Sequence, residues 1–164
     1  MAHRYAPAYM QLVWAVKFRQ SLIPECHREE VERIITGWFR RYGHQVVAIF
    51  CRPDHLHVLF KYHPAQSVSE LVKVVKAEST RFIKERGICP HMRWQRGYAL
   101  LTYSYEAVPT VAAYIRNQAA HHSGGPPFVE EAADLLTAEG ETWDERFFFE
   151  ELVDWETLNV DEDA

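Results

Sequence analysis

No long apolar run is present in this sequence. The longest is Val46 to Cys51, far short of the ~20 residues that a membrane-spanning helix needs. Cysteine is scarce. Cys26, Cys51 and Cys89 are an odd number, widely spaced and without a Cys-x-x-Cys pair, so neither a disulfide framework nor a cysteine zinc site is expected and a reducing compartment is the default. The residues before Tyr9 lack the apolar stretch and small-residue cleavage site of a secretory leader. Internal repeats and long low-complexity segments are also missing. Together these absences predict a cytoplasmic protein with no membrane partner. What remains is ordinary: 164 residues, 48% hydrophobic and 25% charged, about one domain with enough chain for a sizeable core.

The net charge of −5 conceals an asymmetry. Residues 1–122 hold 17 Lys and Arg against 9 Asp and Glu, whereas residues 123–164 hold 1 against 14. The division suggests a basic body over 1–122 and an acidic C-terminal extension over 123–164 that packs on or trails from it. A basic body suits a polyanionic partner, and two solvated surfaces of opposite sign are the alternative. The tail acids Asp144, Glu145, Glu150, Glu151, Asp154 and Glu156 could cover the basic body when a polyanion is absent.

Periodicity orders the elements. Ala8–Phe18 is aromatic and β-branched and predicts a strand. Pro24, then Glu25, Glu29 and Glu30, open a helix whose apolar residues run Val31, Ile34, Ile35, Trp38, Phe39; Arg40, Arg41 and Gly43 close it. Gln45–Cys51 and His55–Tyr62 read as strands joined by a Pro53-Asp54 turn too short for a crossover, hence antiparallel. Ser67 with Glu70 forms a capping box for a helix to about Arg86. Gly97–Tyr105 reads as a strand, and Pro109 starts a helix predicted to reach His122. Ser123 to Pro127 breaks it, and Phe128–Ala138 is a short further helix. The order is β-α-β-β-α-β: an α+β, ferredoxin-like antiparallel sheet with two covering helices and an added C-terminal helix bearing Tyr114.

Period two on a strand puts His55 and His57 on one face, with Leu56 on the other. Two imidazoles so placed share a divalent metal or are simply two satisfied histidines. Tyr114 and Gln118 are four apart and stack on one helix face; His121 lies about 20° from Tyr114 on the same stripe. A phenol and an amide oxygen there become chemistry only if that helix docks on the histidine face. His27, His44, His63 and His91 have no partner at ligand spacing and are expected at the surface.

Pro53-Asp-His-Leu-His-Val-Leu59 resembles the histidine–hydrophobic–histidine motif of the HUH endonucleases. Trp94-Gln-Arg-Gly-Tyr98, Tyr114-Ile-Arg-Asn-Gln-Ala-Ala-His-His122, Leu12-Val-Trp-Ala-Val-Lys17 and Gln66-Ser-Val-Ser-Glu-Leu-Val-Lys73 resemble matching segments of the single-tyrosine transposases of IS200-like insertion sequences, a group that includes the REP-associated tyrosine transposases. The likeness runs from about Gln11 to His122 and more faintly from Phe128 to Phe149. It implies that His55, His57 and Gln118 are metal ligands and that Tyr114 is the nucleophile. It further implies cutting of single-stranded, hairpin-containing DNA through a 5′-phosphotyrosine link, then rejoining. The implied cofactor is Mg²⁺ or Mn²⁺ with no nucleotide, and the implied assembly is a homodimer in which the tyrosine helix can complete the partner's site. The residue types suit this chemistry: neutral ligands leave the ion its full field for the phosphate, and three of them leave positions open for substrate.

Candidate nucleic-acid contacts are Lys73, Lys76 and Lys84 on one helix and Arg93, Trp94 and Arg96 before a strand. Cations interleaved with an aromatic suit single-strand binding; a solvated face is the alternative for the lysines. Tyr98, Tyr103 and Tyr105 serve base stacking or, more simply, packing. Two other function classes compete. A domesticated hairpin-binding protein that does not cut would have no need of His55, His57, Tyr114 and Gln118 together. An unrelated metallohydrolase would have no use for Tyr114.

Overall fold

Alternation along Tyr9–Ala15 (β1) sends Leu12 and Trp14 to one face of a sheet and Gln11, Val13 and Ala15 to the other, and all five are buried. A strand covered on both faces needs helices on both sides, and the computed structural model, which describes residues 5–118 and 128–141, has them. After β1 come α1 (Arg28–Arg41), β2 (Gln45–Cys51), β3 (His55–Lys61), α2 (Val68–Glu85), β4 (Ala99–Tyr103), α3 (Val108–Arg116) and α4 (Phe128–Ala138). The strands lie in the order β2-β3-β1-β4, every neighbouring pair antiparallel. This is the α+β arrangement that the element order predicts.

One face of the sheet, through Leu12, Trp14, Leu56, Val58 and Phe60, packs on Val31, Ile35 and Phe39 of α1 and Leu71, Val75 and Ile83 of α2. The other face carries α3, whose Val108, Ala112 and Ile115 meet Ala48, Phe50 and Leu59. Beside it Ala132 of α4 sits on Val13, Ala15 and Ala99. These small side chains let α4 come close to the sheet next to β3.

Local signals explain the boundaries. Ser67 Oγ accepts from the Glu70 backbone N–H, as the capping box requires. Gly43 ends α1 at φ +86°, and a Cβ there would lie 3.2 Å from the His63 ring. Two expectations need correction. The first strand stops at Ala15 rather than Phe18, because Val16 N–H bonds to Asp54 O and Lys17 N–H to Arg93 O, pulling the chain out of the ladder; Phe18 takes φ +59° in the short turn that follows. His44 is not a surface residue. It is 1% exposed, stacks on Tyr62 and accepts the His63 backbone N–H at Nδ1, so its Nε2–H donates to Gln66 Oε1 at 3.0 Å.

The helix bearing Tyr114 is regular to Arg116, and the chain is described to Gln118. The predicted continuation through His121 and His122 and the acids from Asp144 to Glu156 lie outside the described residues.

Candidate metal and tyrosine site

The register places the site. Val13 pairs with His57 and Ala15 with His55, so the two imidazoles stand on the α3/α4 face beside side chains too small to crowd them. Both are fully buried, with ring centroids 5.1 Å apart at 77°. The Asp54 backbone is held by Val16, and its Oδ1 lies 2.7 Å from His55 Nδ1. The ring therefore donates from Nδ1 to the carboxylate, and Nε2 carries the lone pair. A carboxylate behind an imidazole in this way orients it as a metal ligand. Behind His57 stands Gln11, whose amide nitrogen is 2.8 Å from Nδ1 and whose Oε1 accepts from the Tyr103 hydroxyl at 2.7 Å.

The docking on which the chemistry depends does occur. Tyr114 of α3 lies edge-on to His57, centroids 6.3 Å apart. Its hydroxyl donates to Glu131 Oε1 of α4. Gln118, fully buried, donates from Nε2 to the same oxygen at 3.1 Å, and His57 Nε2 lies 3.3 Å from it. Ligand atoms of His55, His57 and Glu131 all fall within 4.8 Å of one another, an arrangement able to hold a metal ion. The donor set fits a divalent cation: two imidazoles, one oriented by a carboxylate, and a carboxylate oxygen.

Burial sets the protonation states. His55 is pushed down to about 4, mainly by burial, with Asp54 opposing. Burial would raise the Glu131 carboxyl, but hydrogen bonding and charge from His57, with the Tyr114 hydroxyl, hold it below the usual carboxylate range. Burial first, then the Glu131 carboxylate, push the Tyr114 phenol above its ordinary range. The site at rest thus holds neutral His55, anionic Glu131 and neutral Tyr114.

His44 and His55 share a sign, since burial lowers both from the ordinary 6.5. Unfolded chains take up protons there at higher pH than the folded protein does. The stability due to these neutral rings is complete above 6.5 and is lost as pH falls toward the folded values, about 4 for His55. Urea midpoints measured in chelator should fall steadily over that window; a flat profile would contradict it.

Residues 5–118 match the family described as "Transposase IS200 like". The chain belongs to the IS200-like transposase family. It is 26% identical over 114 residues to the ISDra2 transposase TnpA of Deinococcus radiodurans, an alignment covering 65% of this chain and 81% of that protein. A crystal structure from Deinococcus radiodurans R1, described as that of a transposase, superposes with TM-score 0.56 and 25% identity over 72% of this chain and 96% of its own. A REP-associated tyrosine transposase bound to a REP hairpin superposes with TM-score 0.56 over 74% of this chain and 73% of its own, and at 13% identity that likeness is one of fold.

The candidate DNA contacts of this IS200-like transposase fall into three groups. Lys84, Arg93 and Arg96 are exposed and, with Lys17, line a groove of about 440 Å³ on the α2 side of the sheet, away from the histidine face. Lys73 is exposed on α2 but does not line that groove. Lys76 and Trp94 have internal partners. Lys76 Nζ donates to the carbonyls of Gln95, Arg96 and Gly97 at 2.7, 3.3 and 2.8 Å. Trp94 is 8% exposed, sits edge-on to Trp14 and donates from Nε1 to Ser79 Oγ, so its ring packs in the core. Among the tyrosines, Tyr105 is 73% exposed, while Tyr98 and Tyr103 are part-buried. Lys76→Met would leave three carbonyls without this ammonium and should cost about 1–3 kcal/mol of stability, read as a lowered urea midpoint. An unchanged midpoint would show that the carbonyls find water instead.

Reading the sequence missed Glu131, Asp54, Gln11 and Tyr103 as parts of the site. For Glu131 a signal was there. It lies four before Leu135 and beside Ala132, an acid on the apolar stripe of Phe128–Ala138.

Proposed function

We propose that this protein nicks and rejoins single-stranded DNA, at hairpin-containing element ends, through a covalent 5′-phosphotyrosine intermediate. The observation that carries this reading is the convergence of Tyr114 and His57 on one buried spot within a single chain. Membership of a transposase family supports it, and a fold relative bound to a REP hairpin supports a hairpin substrate. Among the described residues no helix is long and apolar enough to cross a membrane.

In this reading His55 and His57, with Gln118, hold a divalent ion, Mg²⁺ or Mn²⁺, at the site whose donor set fits one. A bound ion neutralises phosphate charge and polarises the phosphoryl oxygen. The chain's own residues do the rest. Asp54 fixes the His55 ring with its Nε2 lone pair toward the ion, and Gln11 donates to His57 Nδ1, holding that ring in place. Tyr114 Oη turns from Glu131, gives its proton to solvent and attacks the phosphorus. An O–P bond to tyrosine forms, the bond to the 3′ oxygen breaks, and that oxygen takes up a proton as a free 3′-OH. The phosphotyrosine keeps the energy of the broken bond, so rejoining by a 3′-OH needs no nucleotide. The exposed Lys73, Lys84, Arg93 and Arg96 would track the DNA backbone. The assembly in this reading is a homodimer.

The test is to incubate the full chain with 3′-end-labelled single-stranded hairpins, whose labelled side stays on the tyrosine, in Mn²⁺, in Mg²⁺ or in EDTA, and run denaturing gels. A labelled protein band that requires metal supports the reading. Tight hairpin binding with no such band in any metal would favour the non-cutting alternative.

A further inference from the structure

Glu131 lies in α4, beyond residues 5–118 that match the family. It is 6% exposed, a carboxylate in the interior among an imidazole, a phenol and an amide. Burying such a group is costly unless something strongly favours the charge. Two donors bound at ~2.1 Å to one ion, at angles between octahedral and tetrahedral, stand about 3.0–3.4 Å apart. His57 Nε2 and Glu131 Oε1, hydrogen-bonded at 3.3 Å, already stand within that range, and the ligand atoms of His55, His57 and Glu131 all lie within 4.8 Å of one another. Tyr114 and Gln118 both donate to that same oxygen.

Resting on the functional reading above, we propose that Glu131 is a carboxylate ligand of the ion held by His55 and His57, and that it positions the Tyr114 hydroxyl next to that ion. A carboxylate offers about four lone-pair positions on its two oxygens, so Oε1 can face the ion and still accept the phenol. Gln118, donating to the carboxylate, then orients Glu131 from the side of α3. The hard oxygen also favours Mg²⁺ or Mn²⁺ over softer metals. It follows that α4 is part of the metal centre, and a functional unit ending at 122 omits a ligand.

The experiment titrates the full chain with Mn²⁺, following free ion by electron paramagnetic resonance and the melting-temperature rise that Mn²⁺ produces. Glu131→Gln keeps the shape and removes the charge; Glu131→Ala removes the ligand. Both should weaken Mn²⁺ binding about 10-fold or more and shrink the melting shift, while the metal-free proteins still melt cooperatively. Glu131→Asp should recover part of the affinity. Variants that bind Mn²⁺ as tightly as the wild type, or more tightly, would overturn the proposal and make Glu131 an occupant that the ion must displace. The functional reading fails separately: in that case the wild type shows no Mn²⁺ binding, or His57→Ala leaves it unchanged.

Discussion

Tyr114→Phe should eliminate the covalent protein–DNA band while leaving the rest of the protein in place. The substitution removes one oxygen. The ring stays in the cluster of Ala112, Ile115, Phe50 and Leu59, and its edge still meets His57. The lost interaction is the hydrogen bond to Glu131 Oε1, an oxygen that keeps Gln118 and His57 as neighbours. The fold and the Mn²⁺ affinity should therefore survive. The site's other hydroxyl, that of Tyr103, is bound to Gln11 behind His57, so the chemistry should fall by about 10³-fold or more, as it does when a nucleophile is deleted. The burial and carboxylate contact that push the Tyr114 phenol upward also keep it a poor nucleophile at rest. An undiminished band in Tyr114→Phe would remove Tyr114 from the mechanism and favour a water-activating metallohydrolase. Loss of both the band and Mn²⁺ binding would assign the tyrosine a structural role.

Much of this molecule is legible without coordinates, and the limits are physical. Strand and helix periods are local, so β-α-β-β-α-β and its antiparallel sheet follow from them. The position of His55 and His57 on one face is equally local. What surrounds them is not. Gln11 reaches His57, 46 residues away, only because Val13 pairs with His57 in the sheet register. The end of β1 was overread because Val16 and Phe18 continue an apolar strand pattern, while bonds to Asp54 and Arg93 decide the path. Trp94 between two arginines has the composition of a base-stacking platform, yet a bridge to Val16 and a bond to Ser79 turn it inward. Glu131 was hidden by a charge count. One acid among fourteen in residues 123–164 looks like solvated surface until its place on an apolar stripe is weighed.

The second large effect expected is that of emptying the histidine pair. His55→Ala and His57→Ala should each abolish the metal-dependent band and remove most of the Mn²⁺-induced melting shift, as EDTA should for the wild type. Each deletes a ligand, so the loss should exceed the about 10–100-fold that follows removal of an outer hydrogen bond. Asp54→Asn supplies that smaller step. It keeps the size of the partner at His55 Nδ1 but takes away the charge that fixes the ring's proton there. Mn²⁺ affinity should therefore fall in the order wild type, Asp54→Asn, His55→Ala. The two alanine variants differ without metal. His57 is the imidazole that contacts Glu131, so His57→Ala takes a favourable neighbour from a buried carboxylate and should lower the metal-free melting temperature. His55→Ala removes a ring that burial already keeps neutral and leaves the Glu131 contacts to His57, Tyr114 and Gln118 in place. If both alanine variants retained metal binding and the covalent band, the histidine pair would be ordinary core, and α3 and α4 would be packed over it for reasons of stability alone.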